Sequence, residues 1–135
     1  MAAPLTLLAE TARDLMMPGP VSISADAAAT GAAALLTARG VGSVVVIDAA
    51  GHPLGVVTKS DLLIHACSHA RGMDGDATPV RDVMTPDVFS VRGDTSARSV
   101  VEQLLALNVH HLFVTDPAGV VIGVISPVDV LRKLG

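Results

Sequence analysis

The sequence contains no tryptophan or tyrosine, and its only phenylalanines are Phe89 and Phe113. Half of its 135 residues are nevertheless apolar, so we expect one compact domain with an aliphatic core of Val, Leu, Ile and Ala. Positive charge is also scarce, since 9 Lys and Arg against 13 Asp and Glu give a formal net charge of −4. A nucleic-acid-binding surface needs a basic stripe and usually stacking aromatics, so the composition argues against a nucleic-acid partner.

Cysteine is limited to Cys67, which excludes an internal disulfide and suits a reducing compartment. The N-terminus has no basic region ahead of an apolar core, and Glu10 interrupts the stretch Leu5–Ala9, so we predict no signal peptide. No apolar run approaches the ~20 residues of a membrane span. We therefore expect a cytoplasmic protein that makes no use of a membrane.

What the sequence does contain is one unit written twice. Residues 12–66, shifted by 68 places, lie over residues 80–134 without a gap. The segment R-D-L-M-M-P at Arg13 then meets R-D-V-M-T-P at Arg81. A shared preference for Ala and Val cannot place Pro, Gly and Asp in register, so the repeat is genuine. Two copies of one small unit usually pack about a pseudo-twofold axis, and a site where they meet should come in pairs.

The repeat divides the chain into four segments. We predict a short helical lead-in over residues 1–11, a first motif over 12–66 and a second motif over 80–135. Residues 67–79 are rich in Ser, Gly, Asp and Ala without periodicity, which is typical of a linker. We expect the two motifs to form one compact module.

Each copy is predicted to fold as strand, helix, strand, strand, helix, which makes the chain an α/β protein. The apolar runs Val44–Ile47 and Leu112–Val114 predict strands covered on both faces. The turn sequences Asp48–Gly51 and Asp116–Gly119 follow them and predict hairpins into a third strand.

The ends of the first helix in each copy carry residues that suit helix caps. Asp26 and Asp94 are predicted N-caps, because a short polar side chain can bind the free N–H groups there. Gly40 and Asn108 are the predicted C-caps, because these two residue types tolerate the left-handed conformation best.

The residues best suited to chemistry follow the third strand of each copy. Thr58 and Asp61 in one copy match Ser126 and Asp129 in the other. This spacing describes a capping box, in which both side chains serve only the start of a helix. The same geometry suits a ribose phosphate, because free N–H groups attract phosphate and an Asp can accept from two ribose hydroxyls. Both readings stay open at this point, and the preceding glycines, Gly55 and Gly123, would let a ligand approach the backbone.

Taken together, these segments resemble the cystathionine-β-synthase (CBS) domain, and the whole chain resembles a tandem pair, or Bateman module. The resemblance rests on R-D-[LV]-M-x-P, on V-H-H-L-F-V-T-D-P-A-G in the second hairpin and on G-V-[VI]-[TS]-x-x-D-[LV]-L, in that order. It implies two βαββα motifs packed about a pseudo-twofold axis. It also implies two clefts between the motifs, which in this family often hold adenosine nucleotides.

The resemblance assigns residues to both clefts. The hydroxyl and carboxylate of each T/S-x-x-D element would contact ribose and phosphate, and the adenine would lie against the first strand of the opposite copy. The first cleft would then be formed by Val56, Thr58, Lys59, Asp61, Val88, Phe89, His110 and His111. The second would be formed by Pro20, Val21, Gly42, Ser43, Val124, Ser126 and Asp129.

The chain departs from the family pattern where a basic residue commonly reaches phosphate. His111 replaces the usual Arg in one copy, and Ser43 replaces it in the other. Imidazole is only partly charged near neutrality, so phosphate affinity is expected to be lower or to depend on pH. Lys59 follows Thr58, whereas Pro127 occupies the matching position, so the cations favour the cleft that contains Asp61.

The resemblance implies a regulatory module that senses AMP, ADP or ATP and signals to a partner protein that the sequence does not identify. We expect no enzyme activity, catalytic residue or metal site, and we assign His65 and His69 to a solvated helix end. We also expect a homodimer, with a face supplied by the last helices through Leu62, Leu63, Val130 and Leu131. The alternatives are an interaction module with empty clefts and a binder of S-adenosylmethionine or NAD.

Overall fold

A computed structural model describes residues 4–68, 77–86 and 88–135 of the chain. The chain divides into two compact units, and we describe each by itself. The central unit is Val21–Val88, and the terminal unit combines Met1–Pro20 with Phe89–Gly135.

The described residues form helices and strands in the following chain order. They are α1 (Ala12–Leu15), β1 (Met17–Pro18), β2 (Ser22–Ser24), α2 (Ala29–Arg39), β3 (Ser43–Ile47), β4 (Pro53–Thr58), α3 (Lys59–Ser68), a 3₁₀ turn (Val80–Asp82), β5 (Ser90–Arg92), α4 (Ala97–Leu107), β6 (Leu112–Thr115), β7 (Val121–Ile125) and α5 (Pro127–Leu131). Each unit therefore contains the predicted βαββα order, and the α/β class is confirmed.

Each unit is built on one sheet with a parallel pair and a hairpin. In the central unit the order is β2-β3-β4, with β2 parallel and β4 antiparallel to β3. In the terminal unit the order is β1-β7-β6-β5, with β5 parallel and β7 antiparallel to β6. Both predicted hairpins are confirmed, and Gly51 and Gly119 adopt φ values of 87° and 84° in their turns.

The cores are aliphatic, as the composition predicts. The largest fully buried side chains are Leu112, Ile125, Val44, Val45, Val46, Val57, Val80, Val100 and Val114. These side chains come mainly from the middle and last strands, whose faces the helices cover. Among the described residues, no helix has both the length and the apolarity needed to cross a bilayer.

Two expectations about helices are corrected by the structure. Residues 4–11 are not helical, because their backbone pairs with the C-terminus: Thr6 N donates to Gly135 O at 2.8 Å. The first helix begins only at Ala12.

The predicted N-caps Asp26 and Asp94 are also wrong. The cap positions are Ala28, which makes no side-chain cap, and Ser96, whose hydroxyl accepts from Ser99 N at 3.1 Å. Asp26 instead forms an ion pair with Arg81, 55 residues away. The C-caps are confirmed, since Gly40 and Asn108 have φ values of 61° and 51°.

The units do not follow the boundaries of the sequence repeat. The segment that opens the first motif, residues 12–20, belongs to the terminal unit together with the strands of the second motif. The matching segment, residues 80–88, belongs to the central unit. Each R-D-x-M segment therefore packs with the strands of the other copy.

Candidate functional site

The candidate site in the central unit is the junction between β4 and α3. Thr58 N donates to Asp61 Oδ2 at 2.8 Å, and the Thr58 hydroxyl donates to the same oxygen at 3.0 Å. Asp61 N in turn donates to Thr58 Oγ1 at 3.1 Å. These reciprocal contacts fix the carboxylate at the start of the ten-residue helix α3.

The terminal unit repeats this geometry between β7 and α5. Ser126 N and its hydroxyl donate to Asp129 Oδ2 at 2.8 and 3.0 Å. Pro127 occupies the first turn of α5, where its missing N–H has no helical partner to lose. The carboxylate of Asp129 is buried, with 7% of the residue exposed.

The capping box predicted from the spacing is therefore present in both units. A third box of the same kind lies at α1, where Thr11 and Asp14 repeat the T-x-x-D spacing and Thr11 N donates to Asp14 Oδ2 at 3.1 Å. The backbone contacts lower the pKa of Asp14. Because this third box has no matching partner in the sequence repeat, the box alone does not mark a ligand site.

The two carboxylates differ in what binds their second oxygen, Oδ1. In the central unit, Asp61 Oδ1 accepts from the hydroxyl of Thr85 at 3.1 Å. In the terminal unit, Asp129 Oδ1 accepts from Arg132 Nη1 at 3.1 Å. The Asp61 oxygen is the easier one for a ligand hydroxyl to reach, because a neutral hydroxyl rotates away at less cost than an ion-paired guanidinium.

Sequence reasoning missed both Thr85 and Arg132. Arg132 could have been found, because it lies three residues after Asp129 on the predicted helix, within side-chain reach. Thr85 could not, because it lies 24 residues from Asp61 and belongs to the segment that opens the other motif.

The glycines before each box have a packing role that the sequence analysis did not assign. A Cβ added at Gly55 would lie 2.6 Å from Met84 Sδ and 2.7 Å from the backbone oxygen of Thr85. A Cβ at Gly123 would overlap the side chain of Met16. The space beside each glycine is therefore filled by a methionine of the R-D-x-M segment, which corrects the expectation that a ligand approaches there.

Within the central unit, several of the predicted residues lie beside the Thr58 box. Ser43 is paired with Thr58 across the β3–β4 hairpin, and Lys59 N donates to Gly42 O at 3.1 Å. The Lys59 side chain is exposed. Val56 pairs through its backbone with Thr85, at 2.9 and 2.8 Å.

Other predicted residues of the central unit lie at its first strand and its last segment. Val21 O accepts from Val45 N at 3.1 Å, which places it beside β3. Val88 is the last residue of the unit and is half-buried.

Within the terminal unit, His111 is the predicted residue with a perturbed ionisation. Burial lowers the pKa of His111, the nearby charge of His110 lowers it further, and Asp129 opposes the shift. His111 therefore lies within electrostatic reach of Asp129 and is more often neutral near pH 7 than an ordinary histidine.

The remaining predicted residues of the terminal unit lie on or beside its sheet. Val124 is paired with Phe113 in β6 and with Met17 in β1. Phe89 is 38% exposed, and its carbonyl oxygen accepts from Phe113 N at 3.0 Å. Pro20 is half-buried at the end of the segment that follows β1.

The grouping of these residues into two clefts stays a prediction, since each predicted cleft takes residues from both units. Within the described residues, no group of three His, Cys, Asp or Glu side chains is arranged to hold a metal ion. His69, which was assigned together with His65 to a solvated helix end, lies outside the described residues.

A family model described as the CBS domain matches residues 12–67 and 80–135, and the chain belongs to this family. The tandem pair inferred from the repeat is therefore confirmed.

Three proteins illustrate what this chain is similar to. An uncharacterised protein of Methanopyrus kandleri is 30% identical over 94 residues, which cover 70% of this chain and 47% of that protein. GMP reductase of Mycobacterium bovis is 32% identical over 120 residues, covering 89% of this chain and 23% of the reductase. The crystal structure of CBSX2 in complex with AMP superposes with a TM-score of 0.77 and 28% identity, covering 90% of this chain and 93% of that one. The chain spans about half or less of the length of the curated relatives it matches.

Proposed function

We propose that this CBS pair is a regulatory module that binds an adenosine nucleotide, AMP, ADP or ATP, at the Thr58–Asp61 and Ser126–Asp129 boxes. The observation that carries the proposal is the occurrence of the same hydroxyl–carboxylate box after the third strand of both units. The AMP complex of the similar CBSX2 supports an adenosine ligand.

The geometry of the central unit explains how a ribose would be recognised. Asp61 Oδ2 is committed to the capping box, which holds the carboxylate rigid. Its Oδ1 accepts from the hydroxyl of Thr85, and a ribose diol can replace that hydroxyl as donor. The exposed Lys59 would pair with phosphate, and the positive end of the α3 dipole would favour the same group.

We infer that the module itself is not an enzyme. The match to GMP reductase covers only 23% of that protein, so its reaction is not carried over to this chain. A regulatory role requires a protein target, which we expect to respond to the ligand-bound state. The expected cytoplasmic location stays a prediction.

We also propose that the module forms a homodimer through its helices. Each unit has an apolar groove between two of its helices, of about 520 Å³ between α2 and α3 and about 380 Å³ between α4 and α5. Leu63 and Leu131 are 66% and 63% exposed beside these grooves. Leu62 and Val130 were also expected on this face, but both are buried in the core. Burial of exposed apolar side chains by a second copy is favourable.

Light scattering tests the dimer. The proposal predicts twice the chain mass at high protein concentration, and Leu63→Lys with Leu131→Lys should return the monomer mass with the fold intact by circular dichroism. A monomer mass for the unsubstituted chain contradicts it.

Calorimetric titration with AMP, ATP, S-adenosylmethionine and NAD tests the nucleotide proposal and separates it from its alternatives. We expect micromolar to millimolar affinity for AMP or ATP, corresponding to about −4 to −8 kcal/mol. Stronger binding of S-adenosylmethionine or NAD would favour a different adenosyl ligand. Saturation by none of the four compounds would favour the interaction module with empty clefts.

A further inference from the structure

The terminal unit has a small polar cavity at the edge of its sheet that lies away from the Ser126 box. The cavity has a volume of about 210 Å³ and is lined by Arg13, Arg92, Gly93, Asp94, Thr115, Asp116 and Pro117. β5 and β6 are parallel and end at Arg92 and Thr115, so their carboxyl ends meet at this cavity. Ser126 follows Ile125, which is paired with Leu112 at the opposite end of β6.

Two guanidinium groups face this cavity without a carboxylate partner. Among the described residues, Arg13 makes no side-chain hydrogen bond or ion pair, and Arg92 makes only a 3.5 Å hydrogen bond to the carbonyl oxygen of Asp116. Their backbones are nevertheless fixed. Arg13 N donates to Gly93 O at 3.1 Å, and Arg92 N donates to Thr95 Oγ1 at 3.2 Å.

The matched positions of the central unit show what is specific to this cavity. There Arg81 corresponds to Arg13 and is neutralised by Asp26. Arg92 corresponds to Ser24, so the central unit has one positive charge fewer at this place. The terminal unit therefore carries an additional arginine and lacks the ion pair.

Gly93 allows the close approach of the Arg13 side chain. A Cβ at this position would lie 2.7 Å from Arg13 Nη2, inside van der Waals contact. The matched residue of the central unit is Ala25, which carries a Cβ. Glycine at position 93 thus leaves room for the guanidinium beside the backbone, at the wall of the cavity.

Two carboxylates, those of Asp94 and Asp116, also line the cavity and could compete with an anion for the arginines. Asp116 Oδ1 is already bound by Ala118 N at 2.9 Å and Val120 N at 3.0 Å, which hold it in the turn. Asp94 is exposed and corresponds to Asp26 of the central unit, so it is the internal competitor for Arg13.

We propose that Arg13 and Arg92 form a binding site for a small phosphate-bearing anion, separate from the two capping boxes. Guanidinium groups pair with phosphate through two parallel hydrogen bonds, and two of them can hold adjacent oxygens of a phosphate or pyrophosphate group. The cavity admits such a group but not a whole nucleotide together with its base. The protein would then bind a small anion at this site in addition to the adenosine nucleotide at the capping boxes.

Two-dimensional ¹H–¹⁵N NMR of the full chain, titrated with sodium pyrophosphate and with inorganic phosphate at constant ionic strength, tests this site. We expect saturable shifts of the amides in residues 92–95 and 115–120, with pyrophosphate stronger than phosphate. Arg92→Ser, which installs the residue of the matched position, should weaken binding by about tenfold or more. Gly93→Ala should also weaken it, because the new Cβ displaces the Arg13 guanidinium.

Further variants separate the site from its alternatives. Asp94→Asn should strengthen pyrophosphate binding, because it removes the competing carboxylate. The matched control Arg81→Gln and the box variants Asp61→Asn and Asp129→Asn should leave it unchanged. Shifts that do not saturate, equal binding by Arg92→Ser, loss in the box variants, or binding seen only after Asp94→Asn would each overturn the proposal.

Discussion

The central and terminal units share the βαββα order and the two hairpin turns, although the described terminal sheet also includes β1. They differ in the side chains at matched positions. At the first helix, Ser96 caps α4 whereas the matched Ala28 leaves α2 without a side-chain cap. At the box, a hydroxyl binds Asp61 whereas a guanidinium binds Asp129. The comparison teaches that the repeated Gly, Pro and Asp residues set the backbone. The residues between them decide the charge at each matched position.

The largest difference that we expect between the units concerns the two packed glycines. Gly55→Ala should destabilise the protein by about 1–3 kcal/mol, the usual cost of overpacking, because its Cβ meets the backbone oxygen of Thr85 as well as Met84. Gly123→Ala should cost less, because its neighbours are side-chain atoms of Met16 that can move. Chemical denaturation measures both.

Substituting the neighbouring methionine in each glycine variant tests whether side-chain or backbone atoms cause the destabilisation. Met16→Ala should rescue Gly123→Ala in part, whereas Met84→Ala should leave most of the Gly55→Ala defect in place. Equal destabilisation by the two glycine variants would show that Thr85 O yields as easily as a side chain.

A smaller effect is expected from exchanging the helix caps. Ser96→Ala should cost about 1 kcal/mol, because Ser99 N loses its acceptor. Ala28→Ser should stabilise the central unit by up to a similar amount, since Ala28 already has the extended backbone of a cap, with φ −73° and ψ 150°. Thermal unfolding measures the change in stability of each variant. A destabilising Ala28→Ser would contradict the view that positions 28 and 96 are equivalent cap positions.

The smallest effect concerns His111, whose counterpart is Ser43. Burial lowers the pKa of His111 in the folded protein, so the unfolded chain binds the proton first as pH falls through ~6.5. The stability of the protein should therefore fall as pH decreases from about 7.5 toward about 5.5. Above this pH range, His111 should make no contribution to the pH dependence of stability. His111→Ser should flatten this part of the profile, and an unchanged slope in denaturation experiments would count against the assignment.

The architecture was predictable because apolar runs and turn residues recur at fixed spacing, which predicted the element order and both hairpins. Both C-caps were predictable because Gly40 and Asn108 tolerate the left-handed conformation. Asp26 was wrongly assigned as an N-cap because its partner, Arg81, lies 55 residues away, and such a contact leaves no local pattern. The packing of Met16 and Met84 against the glycines of the other copy was equally hidden. The sequence repeat looks the same whether the opening segment of a copy packs against its own strands or against those of the other copy. The contact between Thr85 and Asp61 was missed for the same reason.

The central claim is that the repeated boxes bind the nucleotide, and the third box at Thr11 and Asp14 provides a matched control. AMP titrations should be compared for the unsubstituted chain, Asp61→Asn, Asp129→Asn and Asp14→Asn, with folding checked by circular dichroism. The account predicts a loss of about tenfold or more for Asp61→Asn, corresponding to about 1.4 kcal/mol, a smaller loss for Asp129→Asn and none for Asp14→Asn. Equal AMP affinity in all four proteins would contradict it and leave the boxes as helix caps alone.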